Sequence, residues 1–136
     1  MKIVICGSMS AAKQMLECAI ALREKGHEVI VPRNTEKYAS GELFAENNRE
    51  STEHKIENDL LRKYYQLISD SDIVIVVNVD KGNVKNYIGG NSFLEAGFAH
   101  VLNKKLYFIN EIPEMIYSDE LRAMQPIILN GDLSQF

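Results

Sequence analysis

The chain has 136 residues, a size typical of one domain, and its 46% of hydrophobic residues are enough to form a buried core over residues 1–136. With 15 basic and 19 acidic side chains the formal net charge is −4, and no predicted face carries a stripe of Lys or Arg, so binding to a nucleic-acid backbone is disfavoured. No apolar run approaches the roughly 20 residues that span a bilayer, and the first residues indicate a strand rather than a signal peptide, so we expect a cytoplasmic protein that binds neither nucleic acid nor membrane.

The first 32 residues predict a β-α-β unit. The β-branched run from Lys2 to Cys6 indicates a strand, and a helix follows with Ser10 as its cap. Apolar side chains recur on one face of this helix at Met15, Leu16, Ala19 and Ile20. Gly26 ends the helix, and Glu28 to Val31 indicates a second short strand.

The middle of the chain is polar at first and then returns to regular patterns. Residues 33–50 predict a long excursion or a small irregular helix around Leu43 and Phe44, of the kind that often covers a site. Between Ser51 and Ile68 apolar side chains recur at helical spacing, at Ile56, Leu60, Tyr64 and Leu67. The nearly all-apolar run from Asp72 to Asn78 then indicates a strand buried on both faces.

Strands and helices continue to alternate to the end of the chain. The patterns predict a helix over about Ser92 to Leu102, a strand over Lys105 to Ile109 and a helix over about Ser118 to Met124, followed by the apolar run Pro126 to Leu129. Such alternation with short connections is typical of α/β proteins. We therefore expect a single-domain α/β three-layer sandwich, flavodoxin-like or Rossmann-like, with a mostly parallel sheet of about five strands.

Potential metal ligands are scattered along the sequence. Cys6 lies in a predicted strand and Cys18 in a predicted helix, and His27, His54 and His100 have no ligand spacing with them. We expect two buried free thiols, no metal site and no cofactor.

Three segments that follow predicted strands carry small or polar side chains. They are Gly7 with Ser8, then Asn78, and then the loop Gly89, Gly90, Asn91 and Ser92, which precedes Glu95. The carboxyl ends of parallel strands meet at one edge of a sheet, where ligands bind. Glycines let backbone N–H groups approach an anionic or sugar-bearing ligand, and a helix N-terminus adds partial positive charge. Neither glycine segment matches a P-loop or the dinucleotide-binding GxGxxG pattern.

Three motifs carry a family resemblance. They are the first strand with Cys6-Gly7-Ser8, the strand Asp72-Ile73-Val74-Ile75-Val76-Val77, and the segment Asn91-Ser92-Phe93-Leu94-Glu95-Ala96-Gly97-Phe98-Ala99 followed by Asn103-Lys104-Lys105-Leu106-Tyr107. Over residues 2–109 the chain resembles the nucleoside 2-deoxyribosyltransferase superfamily, which includes the 2′-deoxynucleoside 5′-phosphate N-glycosidases.

The resemblance implies a reaction and a set of contacts. Glu95 would be the nucleophile that attacks the anomeric carbon of a nucleoside or nucleotide and forms a glycosyl-enzyme ester, because the transition state is oxocarbenium-like. The loops Gly7-Ser8 and Gly89 to Ser92, with Asn78 beside them, would hold the sugar or 5′-phosphate. The family needs no cofactor, and it works as homodimers or larger homo-oligomers, so Met124 to Phe136 would complete a neighbour's pocket.

The leaving base and the phosphate also need partners. In the family an aspartate stands about eight residues before the Asp72 strand, where this chain has Tyr64, so Asp59 is the nearest upstream candidate for the acid. Neither glycine loop contains an arginine to bind phosphate, which leaves the cations Lys13, Arg33 and Lys85.

Two other functions fit parts of the same pattern. A nucleotide-sensing module would use the same sheet and loop to bind a nucleotide without cleaving it. The spacing of Gly89, Gly90 and Glu95 also resembles phosphoribohydrolases of the lysine-decarboxylase-like group.

Overall fold

A five-stranded sheet forms the centre of the computed structural model, which describes residues 1–43, 56 and 59–136. In chain order the strands are β1 (Lys2–Cys6), β2 (Glu28–Ile30), β3 (Ile73–Val76), β4 (Lys105–Phe108) and β5 (Ile127–Ile128). They lie in the order β2-β1-β3-β4-β5, and every neighbouring pair is parallel. In the central pair Ile3 lies opposite Ile73 and Cys6 opposite Val76. The predicted α/β sandwich with about five parallel strands is confirmed.

Helices cover both faces of the sheet. Within the described ranges they are α1 (Ala12–Glu24), α2 (Thr35–Ser40), α3 (Leu60–Ser69), α4 (Gly90–Val101) and α5 (Ser118–Ala123), and a 3-10 turn, Met9–Ala11, precedes α1. None of these helices is long and apolar enough to cross a bilayer.

Alternate side chains of β1 divide the core into two layers. Ile3 and Ile5 face the layer under α1, where they meet Met15, Ala19 and Leu22. Val4 and Cys6 face the opposite layer, whose helical side chains come from α3, α4 and α5: Ile68, Ala96, Ala99 and Leu121. Burial of each large aliphatic side chain contributes about 1.5–3 kcal/mol to the stability of the fold. The central strands β1 and β3 therefore form a rigid support for the residues at their carboxyl ends.

The helix after β2 lies earlier in the chain than the polar pattern predicts. α2 begins at Thr35 and ends at Ser40, ahead of the predicted position around Leu43. Gly41 ends it because its backbone is left-handed, with φ 86°, which glycine adopts without strain. Phe44 and residues 45–55 of the predicted excursion and helix lie outside the described residues.

Two helices begin at positions that differ from the predicted ones. Ser10 does not cap α1, because it lies inside the 3-10 turn and its hydroxyl is 3.0 Å from that of Ser8. α4 begins at Gly90, two residues before the predicted Ser92. Gly89, in an extended conformation, turns the chain into the helix at that point.

The two ends of the chain meet at the amino edge of the sheet. The Met1 amino group lies 3.2 Å from Nδ1 of His27, and Nε2 of the same ring lies 3.1 Å from the backbone oxygen of Phe136. The Phe136 ring packs edge-on against Tyr107, with 5.0 Å between ring centroids. The C-terminal segment thus packs on its own chain, and its role in a neighbour's pocket stays a prediction.

Candidate functional site

The strand order places a cleft at the carboxyl edge of β1 and β3. From β1 the chain crosses to β2 on one side, and β3 is followed by β4 on the other side. Such a reversal of strand order is where open α/β sheets bind ligands. A cavity of about 370 Å³ opens at this point, within the range of roughly 300–1,000 Å³ that is usual for small-molecule sites.

Four parts of the chain form the described wall of the cavity. They are Gly7 and Met9 after β1; Val31, Pro32, Arg33, Asn34 and Tyr38 after β2; Leu60, Leu61, Lys63, Tyr64 and Leu67 of α3; and Asn91 and Glu95 of α4. Most of these side chains are apolar or aromatic, and three carry charge. A mainly apolar wall with a few polar groups is typical of a binding or active site.

Glu95 supplies the carboxylate of this wall. It lies on the second turn of α4, next to Ala96 in the core, and only 8% of the residue is exposed. Taking a carboxylate out of water is costly unless other groups compensate. A buried carboxylate that nevertheless faces a cavity is therefore a candidate for chemistry.

Two protonated groups lie beside Glu95. Burial raises the pKa of the Cys6 thiol well above its ordinary value, and the Glu95 carboxylate raises it further. Burial also raises the pKa of the Tyr64 phenol, followed by smaller effects of Cys6 and Glu95. The Tyr64 hydroxyl donates a hydrogen bond to the carbonyl oxygen of Ile5. Both groups keep their protons near neutral pH, so neither competes with Glu95 as an anion.

The structure brings some of the predicted binding residues together with Glu95. Gly7 and Asn91 share its cavity wall. Gly89 and Gly90 lie at the start of α4 without joining the described wall, and Ser8 is occupied by its hydroxyl contact with Ser10.

Ser92 is buried in the first turn of α4. It is 2% exposed, and its hydroxyl has no hydrogen-bond partner among the described residues. A buried hydroxyl without a hydrogen bond destabilises the folded state by about 1–3 kcal/mol. The Ser92 hydroxyl is therefore available to form a hydrogen bond.

Asn78 has a structural role in the connection after β3. Its amide nitrogen donates to the carbonyl oxygens of Asn110 at 2.9 Å and Glu111 at 3.0 Å. Its amide oxygen accepts from the Asn110 N–H at 2.9 Å. These bonds tie the segments after β3 and β4 together, and Asn78 does not contribute to the described cavity wall.

Asp59 lies at the surface rather than in the cavity. It precedes α3 with a left-handed backbone, φ 49°, and its half-exposed carboxylate pairs with Arg62 at 3.1 Å. Asp59 therefore pairs with an exposed cation outside the described cavity wall, and its role as the acid stays a prediction.

The described wall of the cavity contains two cations, Arg33 and Lys63, of which the sequence predicted one. Arg33 was a candidate phosphate ligand and belongs to the wall, whereas Lys13 and Lys85 do not. Lys63 was missed, although its place three residues after Leu60 and four before Leu67 puts it on the same helical face as both.

Among the described residues, no three His, Cys, Asp or Glu side chains are grouped closely enough to hold a metal ion.

Comparison of the chain with protein-family models, with curated proteins and with solved structures finds no match.

Proposed function

We propose that this protein cleaves or exchanges the N-glycosidic bond of a nucleoside, deoxynucleoside or nucleoside 5′-monophosphate, with Glu95 as the nucleophile. The observation that carries the proposal is a buried carboxylate in the wall of a ligand-sized cavity at the switch point of the sheet. Gly7, from the loop after β1, and Asn91, from the start of α4, share this wall with Glu95 and are candidate contacts for the sugar.

The chemistry uses one carboxylate oxygen. Glu95 attacks the anomeric carbon as the bond from that carbon to the base nitrogen breaks, and the developing oxocarbenium charge is stabilised by the nearby anion. The resulting ester is then resolved by water, which gives hydrolysis, or by a second base, which gives transfer. Cys6 and Tyr64, which lie beside Glu95, keep their protons near neutral pH and therefore do not compete with it as anionic nucleophiles.

The test is release of free base from a panel of ribonucleosides, deoxyribonucleosides and their 5′-monophosphates, followed by chromatography. We expect Glu95→Gln to slow base release by more than about 10²-fold, and we expect Glu114→Gln to leave the rate unchanged. Glu114 is a matched control because its side chain is 86% exposed and pairs with Arg122 at the surface. Equal turnover by the Glu95→Gln and native proteins would refute the assignment of Glu95 as the nucleophile.

A second candidate is a nucleotide-sensing module. It is favoured by the position of Asp59, since the described wall contains no second carboxylic acid to assist a leaving base. Calorimetric binding of a nucleotide with no base release, with or without an acceptor base, would select the sensor over the enzyme.

A further inference from the structure

One face of α3 carries a single charged side chain into the cavity wall. Leu60, Lys63, Tyr64 and Leu67 all line the cavity, and their spacing of three, four and seven residues places them on one face of the helix. The other three members of this face are aliphatic or aromatic. Lys63, an exposed residue, is thus the charged member that α3 adds to the described wall, which Glu95 lines from α4.

Among the residues that the structure describes, no carboxylate pairs with the Lys63 ammonium. Asp59, one turn earlier on α3, pairs with Arg62 instead, at 3.1 Å. Within the part of the chain that the structure describes, the Lys63 side chain makes no hydrogen bond or ion pair. A ligand group that enters the cavity therefore has no partner of Lys63 to displace from this described part of the chain.

We propose that Lys63 is the acid that protonates the departing base. This inference rests on the proposed glycosidic reaction, in which the electron pair of the broken bond passes to the base nitrogen. Glu95 forms the new bond to the anomeric carbon, and Nζ of Lys63 gives its proton to a ring nitrogen of the base. The neutral amine then accepts a proton from the water that hydrolyses the ester, which restores both groups.

The other titratable groups of the described wall are less suited to protonating the base. The Tyr64 hydroxyl is committed to the Ile5 carbonyl oxygen, and burial raises its pKa well above the ordinary value. The guanidinium of Arg33 is not deprotonated in proteins. Tyr38 also carries a transferable proton, but its neutral phenol lacks the positive charge that stabilises an anionic base.

The experiment compares two kinds of leaving group. An unmodified purine nucleoside 5′-monophosphate needs a proton as its base departs, whereas a 7-methylguanosine 5′-monophosphate already carries positive charge on the base and needs none. We expect Lys63→Met to slow release from the unmodified substrate by about 10²–10⁴-fold and release from the methylated one by only a few fold. Lys63→Arg keeps the charge but is expected to show the same selective loss, because arginine holds its proton.

The controls separate the two proposals. Arg62→Met changes the neighbouring exposed cation and is expected to leave both substrates unaffected. If the native protein releases base from no member of the nucleoside and nucleotide panel, or Glu95→Gln cleaves both substrates normally, the glycosidic function is overturned. If Glu95→Gln abolishes both reactions while Lys63→Met slows both equally or neither, or if Tyr38→Phe shows the selective loss, only the acid assignment is overturned.

Discussion

Gly7 leaves no room for a side chain at the point where the chain leaves β1 and enters the cavity wall. A Cβ atom there would lie 2.8 Å from Sδ of Met15, 3.3 Å from its Cγ and 3.1 Å from the carbonyl oxygen of Val77. Favourable carbon contacts need about 3.5–4.0 Å, so the closest contact is roughly 0.7–1.2 Å too short. Met15 is fully buried and the Val77 oxygen belongs to the backbone, so neither neighbour moves away freely.

The expected cost of Gly7→Ala follows from these contacts. Overpacking of a filled core lowers the free energy of unfolding by about 1–3 kcal/mol. The lower backbone entropy of alanine in the unfolded chain offsets about 0.4–1 kcal/mol of this loss. The free energy of unfolding should therefore fall by about 1–2 kcal/mol. With an unfolding entropy of about 2.1 cal/mol/K per residue over 136 residues, the thermal midpoint should fall by roughly 3–7 °C.

The measurement is urea unfolding of Gly7→Ala beside Gly90→Ala. A Cβ on Gly90 has nothing within 4 Å and stands at the first position of a helix, so this control should be unchanged or slightly more stable. The double variant Gly7→Ala/Met15→Ala should lose less stability than the sum of its two single variants, because the clash with Met15 is absent. Equal or greater stability of Gly7→Ala than of the native protein would show that this site is not closely packed.

Three other predictions concern the neighbouring side chains. Asn78→Ala removes three hydrogen bonds between the segments after β3 and β4, and we expect denaturant titration to show a loss of about 2–4 kcal/mol; a loss below 1 kcal/mol would contradict a structural role. Tyr64→Phe leaves the Ile5 carbonyl oxygen without its donor and should cost about 1–3 kcal/mol in the same assay, so an unchanged midpoint would argue against this bond. Burial raises the pKa of Cys18 from 9.0 to about 11, so the folded state keeps a proton that the unfolded state loses. Stability should fall by up to about 2 kcal/mol as pH rises from 9 to 11, and Cys18→Ala should lack that part of the fall; identical pH profiles of the two proteins would refute it.

Local patterns predicted the sheet and the position of Glu95. The strands β1 and β3 are unbroken apolar runs, and such runs are typical of parallel strands that are buried on both faces. Glu95 follows β3 through a glycine loop, and parallel topology alone brings that loop to the edge beside Gly7. These parts of the site depend on chain order, which the sequence displays directly.

The remaining parts depend on contacts between distant residues. Asn78 forms hydrogen bonds with Asn110 and Glu111, which lie 32 and 33 positions later in the sequence. Its structural role therefore has no local signal in the sequence. Asp59 was favoured by its distance along the chain from Asp72, but the structure shows its half-exposed carboxylate in a pair with Arg62 at the surface. Lys63 was missed because helical spacing defines a shared face and does not say which face meets a cavity.

The meeting of the two chain ends on one imidazole has a practical consequence. His27 lies just before β2, at the amino edge of the sheet, and the cavity opens at the carboxyl edge. A tether attached at residue 1 or residue 136 would therefore hold the molecule with its cleft turned toward solution. Because residues 1 and 136 both contact the same imidazole, a short peptide linker between them should close this domain into a ring, and the ring could be opened in an exposed loop without altering the wall around Glu95.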